Sequence, residues 1–235
     1  MVSFQKMSMQ IADPERRLAL AYVARSRRLA LAALWQLDEL LADIIRTTRE
    51  PVVGQMRLAW WHEALMRIGS APTPAHPLLQ ALAAHVVPAG VEGGALAAMV
   101  DGWETLLDND ELDDAALMDH AEARGGALFD AAGIVVAGRA LGAEEGAMLR
   151  PSGAGWALVD LACHLRDAGS AKRAAALAAP LIEDAMAARW PVAARPLGML
   201  VALALRDVRR ARWSTRRQGA PLRLLVMARH RLTGR

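Results

Sequence analysis

Cysteine is almost missing from this chain: Cys163 stands alone among 235 residues. One thiol closes no disulfide and builds no thiolate metal cluster, and a reducing compartment is the default for such a chain. Long apolar runs are missing too. The longest candidate, Leu197 to Leu205, falls far short of the roughly 18 residues that a membrane span needs. The N-terminus, MVSFQKMSMQIADPERR, has no basic region followed by an apolar one, so no secretory signal is expected. Lysine is reduced to Lys6 and Lys172, tyrosine to Tyr22, and aromatics to 4%. None of the six histidines forms HExxH or another spaced ligand set. There is no Walker loop, dinucleotide fingerprint or G-x-S-x-G. These absences remove zincins, nucleotide-binding motifs and α/β-hydrolases from consideration.

What is present is helix composition. Apolar residues make up 54% of the chain, much of it alanine and leucine, and Ala, Leu and Arg are among the best helix formers. No alternating strand pattern and no internal repeat is visible. Residues 1–12 read as an N-terminal arm, and 13–235 as one all-α domain of eight to ten helices, long enough to bury a real core. Asp13-Pro14-Glu15 reads as a helix start, with Asp13 as N-cap. Ser26 is the expected cap of a second helix ending near Thr48, and Pro51 opens a third through Ile68. A proline-rich loop follows at Ala71 to Pro77. Shorter helices are expected at about Leu78 to Val87 and Val91 to Leu107. Asn109 to Asp114 reads as an acidic turn before a helix over Ala115 to Leu141. Gly125, Gly126 and Gly133 inside that helix require a kink or a close neighbour. Pro151-Ser152-Gly153 marks a boundary before a helix over Ala154 to Ala168. Leu181 to Ala188, Leu197 to Trp213 and Pro221 to Leu232 complete the list.

Charge is unevenly spread. Asp101 to Glu122 holds nine acids and no Lys or Arg, whereas Arg189 to Arg235 holds twelve arginines and one acid, Asp207. The plain reading is that the two segments face each other or water. The sharper readings are a partner surface or an anionic membrane surface.

The candidate chemistry gathers on Leu31 to Leu65, LAALWQLDELLADIIRTTREPVVGQMRLAWWHEAL. Glu39 and Asp43 stand at i, i+4 with Asp38 to one side. Carboxylates so spaced can share Mg²⁺, a hard cation that takes oxygen ligands; the competing reading is a solvated face. A second cluster holds Asp160, His164, Arg166 and Asp167 on a helix that is otherwise apolar, where charges are seldom decorative. Structural ion pairing is the alternative. Arg46, Arg49 and Arg57 can bind a diphosphate bidentately or pair with nearby acids. Trp60 and Trp61 read as core.

In this order, these elements resemble the squalene/phytoene synthase family. The likeness rests on DPERRLALAYVARSRRLALAALWQLDELLADII, then EPVVGQMRLAWWHEAL, EARGGALFDAAGIVVAG, GWALVDLACHLRDAG and the C-terminal helices. It spans about residues 13–235, and EP-x-x-G-x-x-R-L-x-W-W is its most specific piece. The resemblance implies an all-α isoprenoid-synthase bundle around a central cavity. In active members, two aspartate-rich motifs hold Mg²⁺, which binds and releases diphosphate while two prenyl chains join head to head. Here the first motif, D-D-x-x-D, corresponds to Ala42, Asp43, Ile44, Ile45 and Arg46. The second, D-x-x-x-D, corresponds to Asp167 to Ala171. Each keeps one acid. The family's mid-chain tyrosine is not evident, and His120 or Glu122 stands near its place. The style is closest to a divergent branch that includes a mitochondrial complex I assembly factor with a phytoene-synthase-like domain.

The resemblance therefore implies a divergent member with weakened or absent prenyl transfer, which binds a prenyl or other lipid chain or assists assembly of a membrane complex. One alternative is an active Mg²⁺-dependent prenyltransferase of isoprenoid, carotenoid or hopanoid biosynthesis. Its metal ligands would be Asp43, Asp167, Glu39 and Asp160, with Arg57, Arg166 and Arg46 on the diphosphate. The other alternative is a helical scaffold with a basic docking face. The partners expected are a prenyl diphosphate or other lipid, together with a peripheral membrane or protein partner, and no nucleic acid. The expected location is cytoplasmic, with attachment to the inner membrane as its extension.

Overall fold

Asp13 caps the first helix as its position suggests: its carboxylate accepts from the Glu15 and Arg16 amides, and Pro14 follows at the first turn. The computed structural model describes residues 11–48, 50–108, 112–211 and 216–235. Within these, α1 spans Pro14–Ala21, α2 Arg28–Thr47, α3 Pro51–Met66, α4 Pro77–Ala81 and α5 Gly93–Asp108. The helix α6, Asp114–His120, runs through a π-helical turn, Ala121–Gly126, into α7, Ala127–Ala137. Then come α8, Ala143–Ala162; α9, Ala168–Ala187; α10, Arg195–Arg210; and α11, Pro221–Thr233. No strand forms among the described residues beyond an isolated bridge between Ile68 and Ala71.

The helix α2 is the axis of the bundle. Leu31, Leu34, Trp35, Leu37, Leu41 and Ile44 are all fully buried. Each such side chain contributes roughly 1.5–3 kcal/mol through the apolar surface it removes from water. The core that grows around it runs from Ile11 to Met227. Ile11 is itself buried and the Ala12 amide donates to Glu39, so the end of the expected arm is packed; residues 1–10 lie outside the described residues.

Four expectations need correction. Ser26 does not cap α2; a 3-10 turn, Arg25–Arg27, leads into it with no side-chain cap. Pro151 does not mark a boundary, because α8 runs straight through it. A helix-interior proline removes one backbone hydrogen bond. Here burial of Leu149, Ala154, Trp156 and Leu158 on the same helix outweighs that loss. The alanine-rich connector before Leu181 is helix as well: α9 is continuous from Ala168, with Ala171, Ala174, Ala175 and Ala178 buried. Small side chains leave room for the backbone of α8, where a Cβ on Gly155 would sit 2.7 Å from Ile182. Finally, Trp61 is core but Trp60 is 47% exposed. The expected acidic turn at Asn109 and the expected helix end at Trp213 lie partly outside the described residues.

Gly125 and Gly126 have both a kink and a close neighbour. They end the π-helical turn, and a Cβ on Gly125 would lie 2.1 Å from the Gly153 carbonyl oxygen of α8. Only glycine permits that backbone approach.

Candidate active site and its arginine plug

The close approach has a consequence for Arg124, the residue before Gly125. A π-helical turn inserts one extra residue into the helical repeat and re-aims what it carries. Gly102 of α5 lies beneath it, where a Cβ would meet the Arg124 amide nitrogen at 2.6 Å. Arg124 is thereby held in the core, 2% exposed.

Its guanidinium joins the two acidic helices. Nε donates to Asp38 Oδ1 at 2.8 Å, and Nη2 donates to Asp38 Oδ2 at 3.0 Å and to Asp160 Oδ2 at 2.8 Å. Arg16 of α1 adds a 2.6 Å bond to Asp38, and Arg216 reaches Asp160 at 3.3 Å. The Arg124 guanidinium lies 4.2 Å from the Trp103 ring centroid and 5.2 Å from that of Trp156. Arg16 lies 5.0 Å from the Trp156 centroid. Cations over indole faces gain from the ring quadrupole.

Burial alone would raise the Asp38 carboxyl, but Arg124 and Arg16 outweigh it and hold the group down at about 2. Asp160 is likewise driven well below the usual carboxylate range: burial opposes, and Arg124 and Arg216 prevail. Arg124 is raised despite its burial, because the two aspartates favour its charge. His120 lies alongside. Its Nδ1–H donates to the Gly102 carbonyl at 2.5 Å, and its ring meets Trp103 edge-on. Its buried Nε2 has no partner among the described residues. Burial, then Arg124, push it down to about 4.

Two adjoining chambers flank the plug and share Ala42, Arg46, Arg124, Asp160 and His164. One, of about 250 Å³, is mostly apolar, with Ile45, Trp103, Leu106, Leu112, Leu161 and Leu165 in its wall. The other, of about 260 Å³, is polar, with Asp13, Asp38, Glu39, Asp43 and Asp160 set against Arg16, Arg46, Arg124 and Arg216.

The residues singled out in the sequence fall into two groups. Glu39, Asp43, Arg46 and Asp160 line the polar chamber. Glu39 accepts from the Ala12 amide, and its buried Oε1 has no hydrogen-bond partner among the described residues, with Arg16 3.9 Å away. Asp43 pairs with Arg46 at 2.5 Å on the exposed side of α2. Asp38 lines the same chamber and His164 lines both, whereas Asp167, Arg166 and Arg57 are not among the residues lining either. Asp167 does not continue the helix of Asp160, since α8 ends at Ala162; it caps α9, accepting from the Ser170 amide at 2.6 Å. That bond lowers its carboxyl. Arg166 is exposed in the connection, and Arg57 is exposed on α3, donating to the Thr48 hydroxyl at 3.2 Å. Arg49 lies outside the described residues.

Arg124, Arg16 and Arg216 are missing from the sequence reading. Arg124 carried a usable signal: one guanidinium in the small-residue stretch AEARGGALFDAAG must find partners if that stretch is buried. Several charges of the acidic and basic segments have partners elsewhere among the described residues. Asp101 meets His62 and Asp114 meets Arg173, while Arg223 is locked between Glu15 and Asp207.

The donor set tests the magnesium that the resemblance implies. Mg²⁺ needs carboxylate oxygens converging on one point. The described residues hold no cluster of three or more His, Cys, Asp or Glu side chains so arranged, and the convergence point of Asp38 and Asp160 is taken by Arg124. The residues present do not fit the ion as arranged.

A family model described as squalene/phytoene synthase matches residues 10–169. A solved structure described as a dehydrosqualene synthase in complex with ligand superposes with a TM-score of 0.69 at 13% identity, covering 96% of this chain and 92% of that one. No curated protein sequence matches. At that identity the superposition speaks for the fold: a helical bundle of the isoprenoid-synthase type.

Proposed function

The chain belongs to the squalene/phytoene synthase family, and from that premise we propose that it binds a prenyl or other lipid chain without ionising a diphosphate. The observation that carries this reading is Arg124 bridging Asp38 and Asp160. A metal-dependent ionisation needs free carboxylates to hold a Lewis acid against the leaving group. Here a protein-borne cation occupies their oxygens, and its removal would break a buried ion pair. The apolar chamber remains, with a wall suited to an isoprenoid or acyl chain. The polar chamber places five acids against four arginines, a balance that suits a neutral or hydroxylated head better than a bare diphosphate.

What the chain's own residues do follows from their placement. Ile45, Leu106, Leu161 and Leu165 exclude water from the ligand's tail. Arg46 and His164 are the shared polar residues of the two chambers that stand outside the Arg124 joint, and they are available to its head. Such a protein acts where lipids are, as a carrier or as an assembly aid at a membrane complex.

The test pairs two measurements on the purified protein. Diphosphate release from farnesyl and geranylgeranyl diphosphate is followed with and without Mg²⁺. Binding of farnesol and of farnesyl diphosphate is measured in parallel. The expectation is chain binding with no Mg²⁺-dependent release. Turnover that Asp43→Ala abolishes would overturn the reading in favour of prenyl transfer.

A further inference from the structure

A wide groove lies apart from the plug and shares no lining residue with either chamber. It measures about 620 Å³ and runs between α9, α10 and α11. Met186, Ala202, Leu205 and Val226 contribute its apolar wall, and Arg206, Arg209, Arg210, Arg229 and Arg235 its charge. Glu183 is the acid among the lining residues, and it already pairs with Arg209 at 3.7 Å. Arg206 pairs with Asp207. Arg210, Arg229 and Arg235 have no ion-pair partner among the described residues.

The adjoining face of α11 is also unusual. Leu222, Leu225, Arg229 and Leu232 recur at helical spacing on the side away from buried Arg223, Met227 and His230. Leu225 and Leu232 are 64% and 78% exposed. Large aliphatics at that exposure on a helix whose other face is packed need an occupant.

We propose that this groove and the leucine strip of α11 dock the protein on an anionic phospholipid surface. Leucines set among arginines on one helix face match phosphates above acyl chains. Arginine stems lie along apolar surface while their heads reach phosphate. The groove repeats that order in depth, with an apolar wall under a cationic rim. An acidic protein partner would answer the arginines and leave the outermost leucines unexplained. The inference does not rest on what the plugged cavity binds. It gives the unpaired arginines of the C-terminal segment a use.

The test is co-sedimentation of the full chain with vesicles of phosphatidylcholine alone and of phosphatidylcholine doped with phosphatidylglycerol. Each arginine near such a surface is worth roughly fivefold in partitioning, so the three unpaired ones predict on the order of a hundredfold preference for the doped vesicles, falling as salt rises. R210E with R229E should remove most of that preference. The matched double reversal R57E with R67E, at exposed arginines on α3 and just after it, outside the groove, should not. L225D should weaken binding to doped vesicles as well, because it leaves every arginine in place and removes the inserted residue. All these positions are exposed, and circular dichroism checks that each variant folds. Equal binding to both vesicles, no binding to either, or indifference to R210E with R229E or to L225D would overturn the proposal. So would doped-vesicle binding that R57E with R67E removes equally.

Discussion

Arg124 grips Asp38 at two points, Nε to Oδ1 at 2.8 Å and Nη2 to Oδ2 at 3.0 Å, across 86 residues of sequence. Neither residue belongs to an aspartate-rich motif as aligned on the family. Yet this pair occupies the space between the first acidic helix and Asp160, and it turns an acidic cleft into a closed ionic joint. Three elements far apart in sequence, α2, the π-helical turn and α8, are tied together by this one guanidinium.

If the joint is structural, Arg124→Leu should destabilise the protein by about 3 kcal/mol, near the lower end of what breaking a buried pair costs. The lower end applies because Asp38 keeps Arg16 and Asp160 keeps Arg216. The loss should also depend on pH in a definite direction. Asp38 is held at about 2, below its unfolded value. Its stabilisation is therefore present above about pH 4 and lost as pH falls toward 2. Denaturant midpoints for the two proteins should converge on acidification through that window. A constant gap from pH 7 to pH 3 would show that packing, and not charge, is what Arg124 contributes.

The glycines beneath the plug allow a paired comparison. Gly125→Ala puts a methyl 2.1 Å from the Gly153 carbonyl oxygen, backbone against backbone. The two segments must separate, and overpacking of this kind costs about 1–3 kcal/mol or more. Gly146 is in the same helix as Gly153 but has nothing within 4 Å of its Cβ position. Gly146→Ala should stabilise by about 0.4–1 kcal/mol through helix propensity and a less disordered unfolded chain. Thermal midpoints moving in opposite directions are the expected result.

The contrast between those glycines explains how far the sequence could be read. Helix starts were legible wherever a proline followed a cap, as at Asp13-Pro14 and Pro51, because that signal is local. The same rule misread Pro151, where buried neighbours decide. It also missed the continuity of α9 through its alanines, whose purpose is visible only with α8 beside them. The acids of α2 and α8 are legible, and ion pairing is among the readings the sequence offers for Asp160, but the partner is not, since it is a guanidinium from a third element. Asp167 was placed on the wrong helix for a related reason: a carboxylate two turns after Asp160 shares its face only if the helix continues, and Asp167 is instead the cap of the next one.

Filling the apolar chamber should separate lipid binding from folding. Ala42 borders both chambers, and Ala42→Phe extends a ring into the space a chain would use. Displacing even two methylenes from burial removes about 1.6 kcal/mol, more than tenfold in affinity. Farnesol binding should fall by at least that factor while the helical circular dichroism spectrum persists. Unchanged binding would move the ligand out of this chamber.

Acid should weaken the fold through His120 well before it reaches the aspartates. The imidazole is pushed from 6.5 to about 4, chiefly by burial and then by Arg124, and its Nδ1 proton is committed to the Gly102 carbonyl. Protonation would have to place a second proton on Nε2, which is buried without a partner among the described residues. The unfolded chain takes that proton more readily, so stability is complete above about pH 6.5 and declines as pH falls toward 4. The difference amounts to on the order of 3 kcal/mol for this residue. His230, also held at about 4 by burial and Arg195, adds a decline in the same window. His120→Gln keeps a donor for the Gly102 carbonyl and cannot titrate. Its stability at pH 7 should fall modestly, and its further loss between pH 6.5 and 4 should be smaller than wild type, with the share from His230 remaining. Parallel wild-type and variant profiles across that window would assign the acid sensitivity to groups other than His120.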